Sequence, residues 1–206
     1  MKASLSDGTP VLFRPIRPGD KQMLAQGFAE LSPGSRYSRF FTHLERLSES
    51  KLRYLTEVDG VNHSAWIAVL DRPGPERGIG VARWIRLPDE PEVAEGAVTV
   101  IDEFQGGGLG KLLLLVAARA AIENGIRAFR AWVQSDNRPV LEILRQLGAE
   151  HGKWESGVLQ VTVPLPETVE DLDQLPAGGL LRAAAFGILA GGRAPGPTSS
   201  PGTEEV

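Results

Sequence analysis

Val98-Thr-Val-Ile-Asp-Glu-Phe-Gln-Gly-Gly-Gly-Leu-Gly-Lys-Leu-Leu-Leu-Leu-Val116 reads as a strand, a glycine turn and a helix. Residues 98–101 are apolar and β-branched apart from one threonine, the composition of a buried strand. Gly106, Gly107, Gly108 and Gly110 would weaken any regular element, because glycine loses the most backbone entropy on ordering. Their use is a tight turn with exposed N–H groups. The leucines and alanines that follow are strong helix formers. A helix whose first turn is bare backbone leaves N–H groups pointing outward, and its dipole favours negative charge. The stretch therefore predicts a phosphate or pyrophosphate held at the start of this helix.

Two phosphate motifs fail on counting. A nucleoside-triphosphate loop needs Gly-x-x-x-x-Gly-Lys-Ser/Thr. Counting from Gly110-Lys111 puts Gln105 at the first glycine and Leu112 at the hydroxyl position. A dinucleotide fingerprint Gly-x-Gly-x-x-Gly, begun at Gly106 or Gly108, meets Lys111 or Leu113 where its last glycine belongs. What remains is Gln105-x-x-Gly108-x-Gly110. This pattern resembles the acyl-coenzyme A pyrophosphate loop of the GNAT superfamily of N-acyltransferases.

The 206 residues are 42% hydrophobic and 23% charged, with a net charge of −4 and no cysteine. That length and composition predict one soluble domain with an appendage. The missing cysteine excludes a disulfide framework, a thiolate zinc site and a cysteine acyl-enzyme. The three histidines have no metal-ligand spacing, so no metal is expected. A mildly acidic chain argues against a nucleic-acid partner. The N-terminus has no apolar signal-peptide run, and no apolar run is long enough to span a bilayer. The expected location is cytoplasmic, without membrane contact, as a monomer or homodimer.

Read in order, residues 10–17 form a first strand, in which Pro15 allows pairing on one side only. Asp20 is placed to cap a helix with Met23, Leu24, Phe28 and Leu31 at helical spacing. Residues 32–35 are a break, 36–43 a second helix carrying Tyr37, Phe40 and Phe41, and a third helix follows Ser48. Strands at 65–70, 79–87 and 93–101 lead into the glycine loop. The helix from Leu109 ends at Asn124-Gly125, and a strand occupies 127–133. Asp136-Asn137 caps a helix reaching Gly148, and 153–154 with 158–163 form a last hairpin. The fold class is α/β (α+β), a mixed and mostly antiparallel sheet flanked by helices. Residues 1–164 form the domain, 165–190 a helical extension, and 191–206 a Gly/Pro/Ser-rich disordered tail.

This order of elements is that of a GNAT fold. Asp7-Gly8-Thr9, Arg14-Pro-Ile-Arg-Pro18 with Asp20, and Leu31-Ser-Pro-Gly-Ser-Arg-Tyr-Ser-Arg-Phe-Phe41 are similar to the acetyltransferase domain of bacterial Pat-type protein lysine acetyltransferases. The resemblance implies acetyl-CoA as co-substrate and a protein lysine as acceptor, with a small-molecule amine as the second reading. It assigns the backbone N–H groups of the loop Gln105, Gly106, Gly107, Gly108, Leu109, Gly110 and Lys111 to the pyrophosphate. It also implies that the backbone of Val98, Thr99 and Val100 bonds the pantetheine arm like an added strand. Asn137 is either a contact to that arm or a plain helix cap, and the two roles can coexist.

Acyl transfer to an amine also needs a base. Glu95 shares a strand face with Ala97 and Thr99 by period-two alternation, opposite Val98 and Val100. Small, apolar neighbours would raise its pKa into the useful range. In Pat-type enzymes a glutamate at this place relative to the loop is the base. The expected reaction is direct attack of the amine on the thioester, since no cysteine, serine or histidine constellation supports an acyl-enzyme. The N–H of Val98 or Val100 would serve the oxyanion. The tyrosine that many family members use as acid is replaced here by Leu144, so no general acid is named. Arg36 and Arg39 could reach the acceptor site but read by default as solvated arginines, and the histidines read as surface or capping residues. Asp89, Glu90 and Glu92 form an acidic patch that could attract a cationic amine but reads first as a solvated hairpin tip. Two rivals of other classes are a non-catalytic acyl-CoA sensor and a nucleotide- or polyphosphate-binding protein.

Overall fold

The computed structural model describes residues 1–135, 150–155 and 157–174. The expected helix at 136–148, with Asn137, and the expected elements beyond residue 174 lie outside them. In chain order the elements are β1 (Lys2–Ser4), β2 (Pro10–Pro15), α1 (Lys21–Ala29), α2 (Pro33–Phe40), α3 (Glu49–Thr56), β3 (His63–Leu70), β4 (Gly78–Leu87), β5 (Glu90–Val100), α4 (Leu109–Glu123), β6 (Ala128–Gln134), β7 (Glu150–Glu155), β8 (Val158–Pro164) and α5 (Val169–Gln174). The strands form one sheet in the order β1-β2-β3-β4-β5-β6-β8-β7. All neighbours are antiparallel except β5 and β6, which run parallel. Helix α4 is the crossover that a parallel pair requires.

Alternation along the central strands sorts the two faces. Ala82 and Trp84 of β4, with Ala94 and Val98 of β5, are buried in one core with Leu109, Leu113, Ala117 and Ala121 of α4. Helices α1 to α3 cover the opposite face, where Ile67, Val81, Thr99 and Ile101 line a cavity against Met23, Phe28 and Leu55. Gly96 lies opposite Trp84 in the register, and a Cβ there would come within 3.3 Å of the Phe129 ring. Its missing side chain leaves room for the Phe129 ring where the parallel pair ends. Among the described residues no helix is long and apolar enough to cross a membrane.

Several boundaries differ from the expectation. Helix α2 starts at Pro33, inside the expected break. Ser32 caps it by accepting the Ser35 N–H at 3.2 Å, and Pro33 fills a first-turn position whose N–H would have no partner in the helix. It ends at Phe40, because Phe41 turns left-handed with φ 51°. Strand β1 was not legible in a polar N-terminus. Because of it β2 is paired on both sides, yet Pro15 itself faces only Trp66. Ser48 caps α3 as the sequence implies, taking the Lys51 N–H.

Asp20 does not cap α1. Its carboxylate accepts two bonds from the Arg14 guanidinium, at 2.8 and 2.9 Å, and one from the Arg17 N–H at 2.7 Å. Both charged side chains are 7% exposed. Burial opposes ionisation of Asp20, but the Arg14 bonds, the Arg17 N–H and the two cationic charges together outweigh it. The carboxyl therefore stays below its ordinary value of 3.8. The pair ties β2 to the start of α1 and so fixes the helical layer over the sheet.

Candidate functional site

Strand β5 pairs with β6 only through Val93, Ala94 and Glu95, opposite Ala128, Phe129 and Arg130. Beyond Glu95 the two strands part. β5 keeps β4 on its other side as far as Val100, while β6 keeps β8 as far as Gln134. Among the described residues, Gly96 to Val100 has no strand partner on the β6 side. The Ile101 N–H donates to Ile79 O at 3.1 Å, so odd residues here turn their backbone to β4. By alternation Val98 and Val100 turn theirs to the open edge, and Thr99 turns its own to β4. The unpaired edge is a ready template for an extended chain. At about 3.3 Å per residue, its five residues span roughly 16 Å.

The glycine loop closes one end of this wedge. Gly106 and Gly108 have φ of 80° and 89°, backbone that an L side chain rarely adopts. Gly108 is the N-cap of α4, and no side chain caps that end. The Leu112 N–H is the first to close a helical turn, onto Gly108 O at 3.2 Å. The N–H groups of Leu109, Gly110 and Lys111 precede that ladder, at the positive end of the dipole. The loop is braced from outside. Ser6 donates its N–H and its hydroxyl to Gly107 O, at 3.4 and 3.2 Å. Gln105 donates its amide to Val100 O and Asp102 Oδ1, each at 3.0 Å, so this side chain joins the loop to the end of β5. The Ser32 N–H donates to Asp102, which joins the same turn to α2.

Glu95 lies at the other end, where the strands part. Its neighbours on the strand are small, as expected. The rest of its face is not apolar. Arg83 of β4 pairs with Ala97 in the register and is 5% exposed. Arg39, in the last turn of α2, is 8% exposed and interacts electrostatically with Glu95. Burial lowers the Arg39 guanidinium to about 10, with Glu95 working against that shift. Burial and the charge of Arg39 lower Arg83 to about 9. Both stay cationic at neutral pH, and Arg39 is no solvated arginine. Arg36 is half-buried and donates to the carbonyls of Leu31, Glu45 and Ala29, fastening the α1–α2 corner.

His63 also departs from expectation. Arg83 Nη1 lies 3.0 Å from His63 Nε2, and Arg83 Nη2 donates to Leu55 O at 3.1 Å. A guanidinium only donates, so Nε2 accepts and the neutral ring carries its proton on Nδ1. Burial, then the Arg83 charge, lowers His63 from 6.5 to about 4. The unfolded chain therefore binds this proton more tightly between those values, and the folded state loses stability as pH falls from 6.5 towards 4. His63→Gln, which keeps an acceptor for Arg83, should flatten that limb. Urea midpoints at pH 7 and pH 4.5 should differ less in the variant than in the parent. An equal loss in both would mean His63 does not carry it.

Glu90 lies in the solvated tip, as expected, and there also pairs with Arg130 through both oxygens at 2.6 and 2.7 Å. Asp89 and Glu92 are exposed. Among the described residues no group of three histidines or carboxylates gathers that could hold a metal.

Comparison with known proteins agrees with this architecture. Residues 29–149 match the model of the acetyltransferase (GNAT) family. The chain is 33% identical over 154 residues to Acetyltransferase Pat of Mycolicibacterium smegmatis, covering 75% of this chain but 45% of that protein. An acetyltransferase of Pseudomonas aeruginosa is 32% identical over 145 residues, 70% of this chain and 77% of the relative. Among solved structures, the GNAT domain of S. lividans PAT superposes with a TM-score of 0.72 at 29% identity, covering 80% of this chain and 96% of that one.

Proposed function

The chain belongs to the GNAT family of acetyltransferases, and from that premise we propose that it moves an acetyl group from acetyl-CoA to a primary amine by direct attack, with Glu95 as the general base. The observation that carries the reading is the unpaired edge of β5. It runs from Glu95 to the uncapped start of α4. A pyrophosphate on the N–H groups of Gly106 to Lys111 would send an extended pantetheine arm along Val98 and Val100 and bring its thioester to Glu95. Gln105 supports the loop from behind. Thr99 contributes its side chain to the acceptor-side cavity rather than its backbone to the arm.

In this arrangement Glu95 takes a proton from the acceptor ammonium, and the freed nitrogen lone pair attacks the thioester carbon. The carbonyl oxygen becomes an oxyanion, for which the Val98 N–H, nearer Glu95 than that of Val100, is the candidate donor. Collapse breaks the carbon–sulfur bond and releases CoA thiolate; the nitrogen of the adduct gives its remaining extra proton to water, and solvent protonates the thiolate. The relatedness to Pat favours a lysine side chain as the acceptor. The chain spans less than half of that relative's length, so the acceptor is proposed for this domain on its own residues.

Thermal unfolding tests the co-substrate. A ligand that binds only the folded state stabilises it by about 2.7 kcal/mol at a hundred times its Kd. Acetyl-CoA should raise the melting temperature by several degrees while ATP and NAD leave it in place. Gly108→Val, which forces a β-branched residue into φ 89° at the cap of α4, should lose most of that shift. No shift of the parent protein with acetyl-CoA would overturn the reading.

A further inference from the structure

Among the described residues, three cations gather on the acceptor side of Glu95. Arg39, Arg83 and Lys51 come from α2, β4 and α3, and each repels another: Arg39 acts on Arg83, and both act on Lys51. Lys51 sits 5.8 Å over the Tyr54 ring, and Tyr54 stacks on His63 with ring centroids 5.1 Å apart. His63 is neutral at pH 7, and Asp59 is spent on the N–H groups of Val61, Asn62 and His63. Among the described residues Glu95 is the carboxylate that acts on Arg39, and none acts on Arg83.

Arg39 is the unusual member. It makes no hydrogen bond to the described residues, although it is 8% exposed. Its guanidinium lies 5.0 Å from the Phe40 ring centroid, and Arg39 lines the cavity that Arg83 and Thr99 also line. A buried guanidinium offers five N–H donors in a fork that matches a carboxylate. Burying it without such a partner is costly.

The charges also bear on the reaction. An amine arrives as a cation, and among the described residues it meets three like charges around Glu95. An acceptor that brings its own negative group removes that repulsion and fills the empty fork. We propose that the acceptor carries a carboxylate beside its reactive amine, and that Arg39, backed by the charge of Arg83, holds this carboxylate while Glu95 receives the amine proton. The inference rests on the placement of the acceptor at Glu95. Two sources share this chemistry: an Asp or Glu flanking a lysine in a protein, and the α-carboxylate of a free diamino acid.

Matched acceptor pairs test it in the full chain at saturating acetyl-CoA. One pair is a lysine peptide with Glu on both sides of the lysine and the same peptide with Gln. The other is ornithine and 1,4-diaminobutane, which lacks the carboxylate. The carboxylate-bearing member of at least one pair should be preferred by about tenfold or more in kcat/KM. Which pair shows it identifies the source. Arg39→Gln should collapse that ratio to within about threefold, through KM, and Arg39→Lys should retain part of it, because charge remains and the fork is lost. Circular dichroism and a melting curve confirm that both variants are folded. Ratios near one in both pairs would overturn the proposal. So would an Arg39→Gln variant that slows both members equally and leaves the ratio intact, since that is the signature of support for Glu95 alone. The base assignment fails separately: turnover unchanged in Glu95→Gln, with the ratio preserved, would remove Glu95 as base and leave the carboxylate recognition standing.

Discussion

Glu95→Gln lowers kcat by about 10²- to 10³-fold and leaves the affinity for acetyl-CoA within about twofold. The substitution keeps the shape of the side chain and removes the basic oxygen. In the proposed arrangement the co-substrate is read by the backbone of β5 and the start of α4, which the change does not touch. Its effect has a pH signature. At neutral pH the acceptor is an ammonium and cannot attack until a base takes its proton. An alkylamine loses that proton unaided near pH 10.4. The deficit of the variant should therefore be largest near pH 7 and shrink as pH rises towards 10. Steady-state transfer across that range, with calorimetric titration of CoA, measures both halves. Turnover within about threefold of the parent at pH 7 would show that another group, or water, accepts the proton.

Asp20→Ala costs about 3 kcal/mol of stability, because it removes one partner of a buried pair and leaves the other charge behind. Arg14 is 7% exposed and loses both short bonds to Asp20. It keeps Glu76, at 2.6 Å. That carboxylate is 45% exposed and offsets only part of the loss, which sets the estimate at the lower end of the usual range. The Arg17 N–H also loses its acceptor. For a domain of this size the melting temperature should fall by roughly 6–12 °C. Urea denaturation at pH 7 is the direct measurement, and a loss below about 1 kcal/mol would mean that water or Glu76 replaces Asp20 in full. The contribution of Asp20 is present above pH 3.8 and fades as pH falls through its lowered folded value. The same substitution should loosen the corner between β2 and α1, which carries the helical layer over the acceptor face.

The elements that could be read from the sequence are those that local backbone physics specifies. A β-branched run, four glycines in five residues and a leucine–alanine run permit little except strand, turn and helix. Period-two alternation put Glu95 with Ala97 and Thr99 because the side-chain period of a strand is fixed. Helix α2 was shifted by three residues because Ser32 caps and Pro33 begins a helix, although Ser-Pro-Gly-Ser also reads as a break. β1 was missed because a three-residue polar strand has no periodicity and exists only through its pairing with β2.

Arg39 and His63 were misjudged, and Arg83 passed over, for a different reason. Each is an ordinary polar residue in its own segment, and the sequence places them far apart. Only the stacking of α2 and α3 on β3, β4 and β5 brings them to one face and takes them out of water. Desolvation and charge repulsion belong to that assembled environment, so no single stretch carries them. By itself the sequence determined the strand–loop–helix unit, the order of elements from β2 to β6 and the face of Glu95, because backbone conformation and side-chain period are local. The tertiary structure alone decided which side of β5 lies open, which backbone groups face that edge, and which cations surround the carboxylate, because strand divergence and burial arise only when distant segments pack.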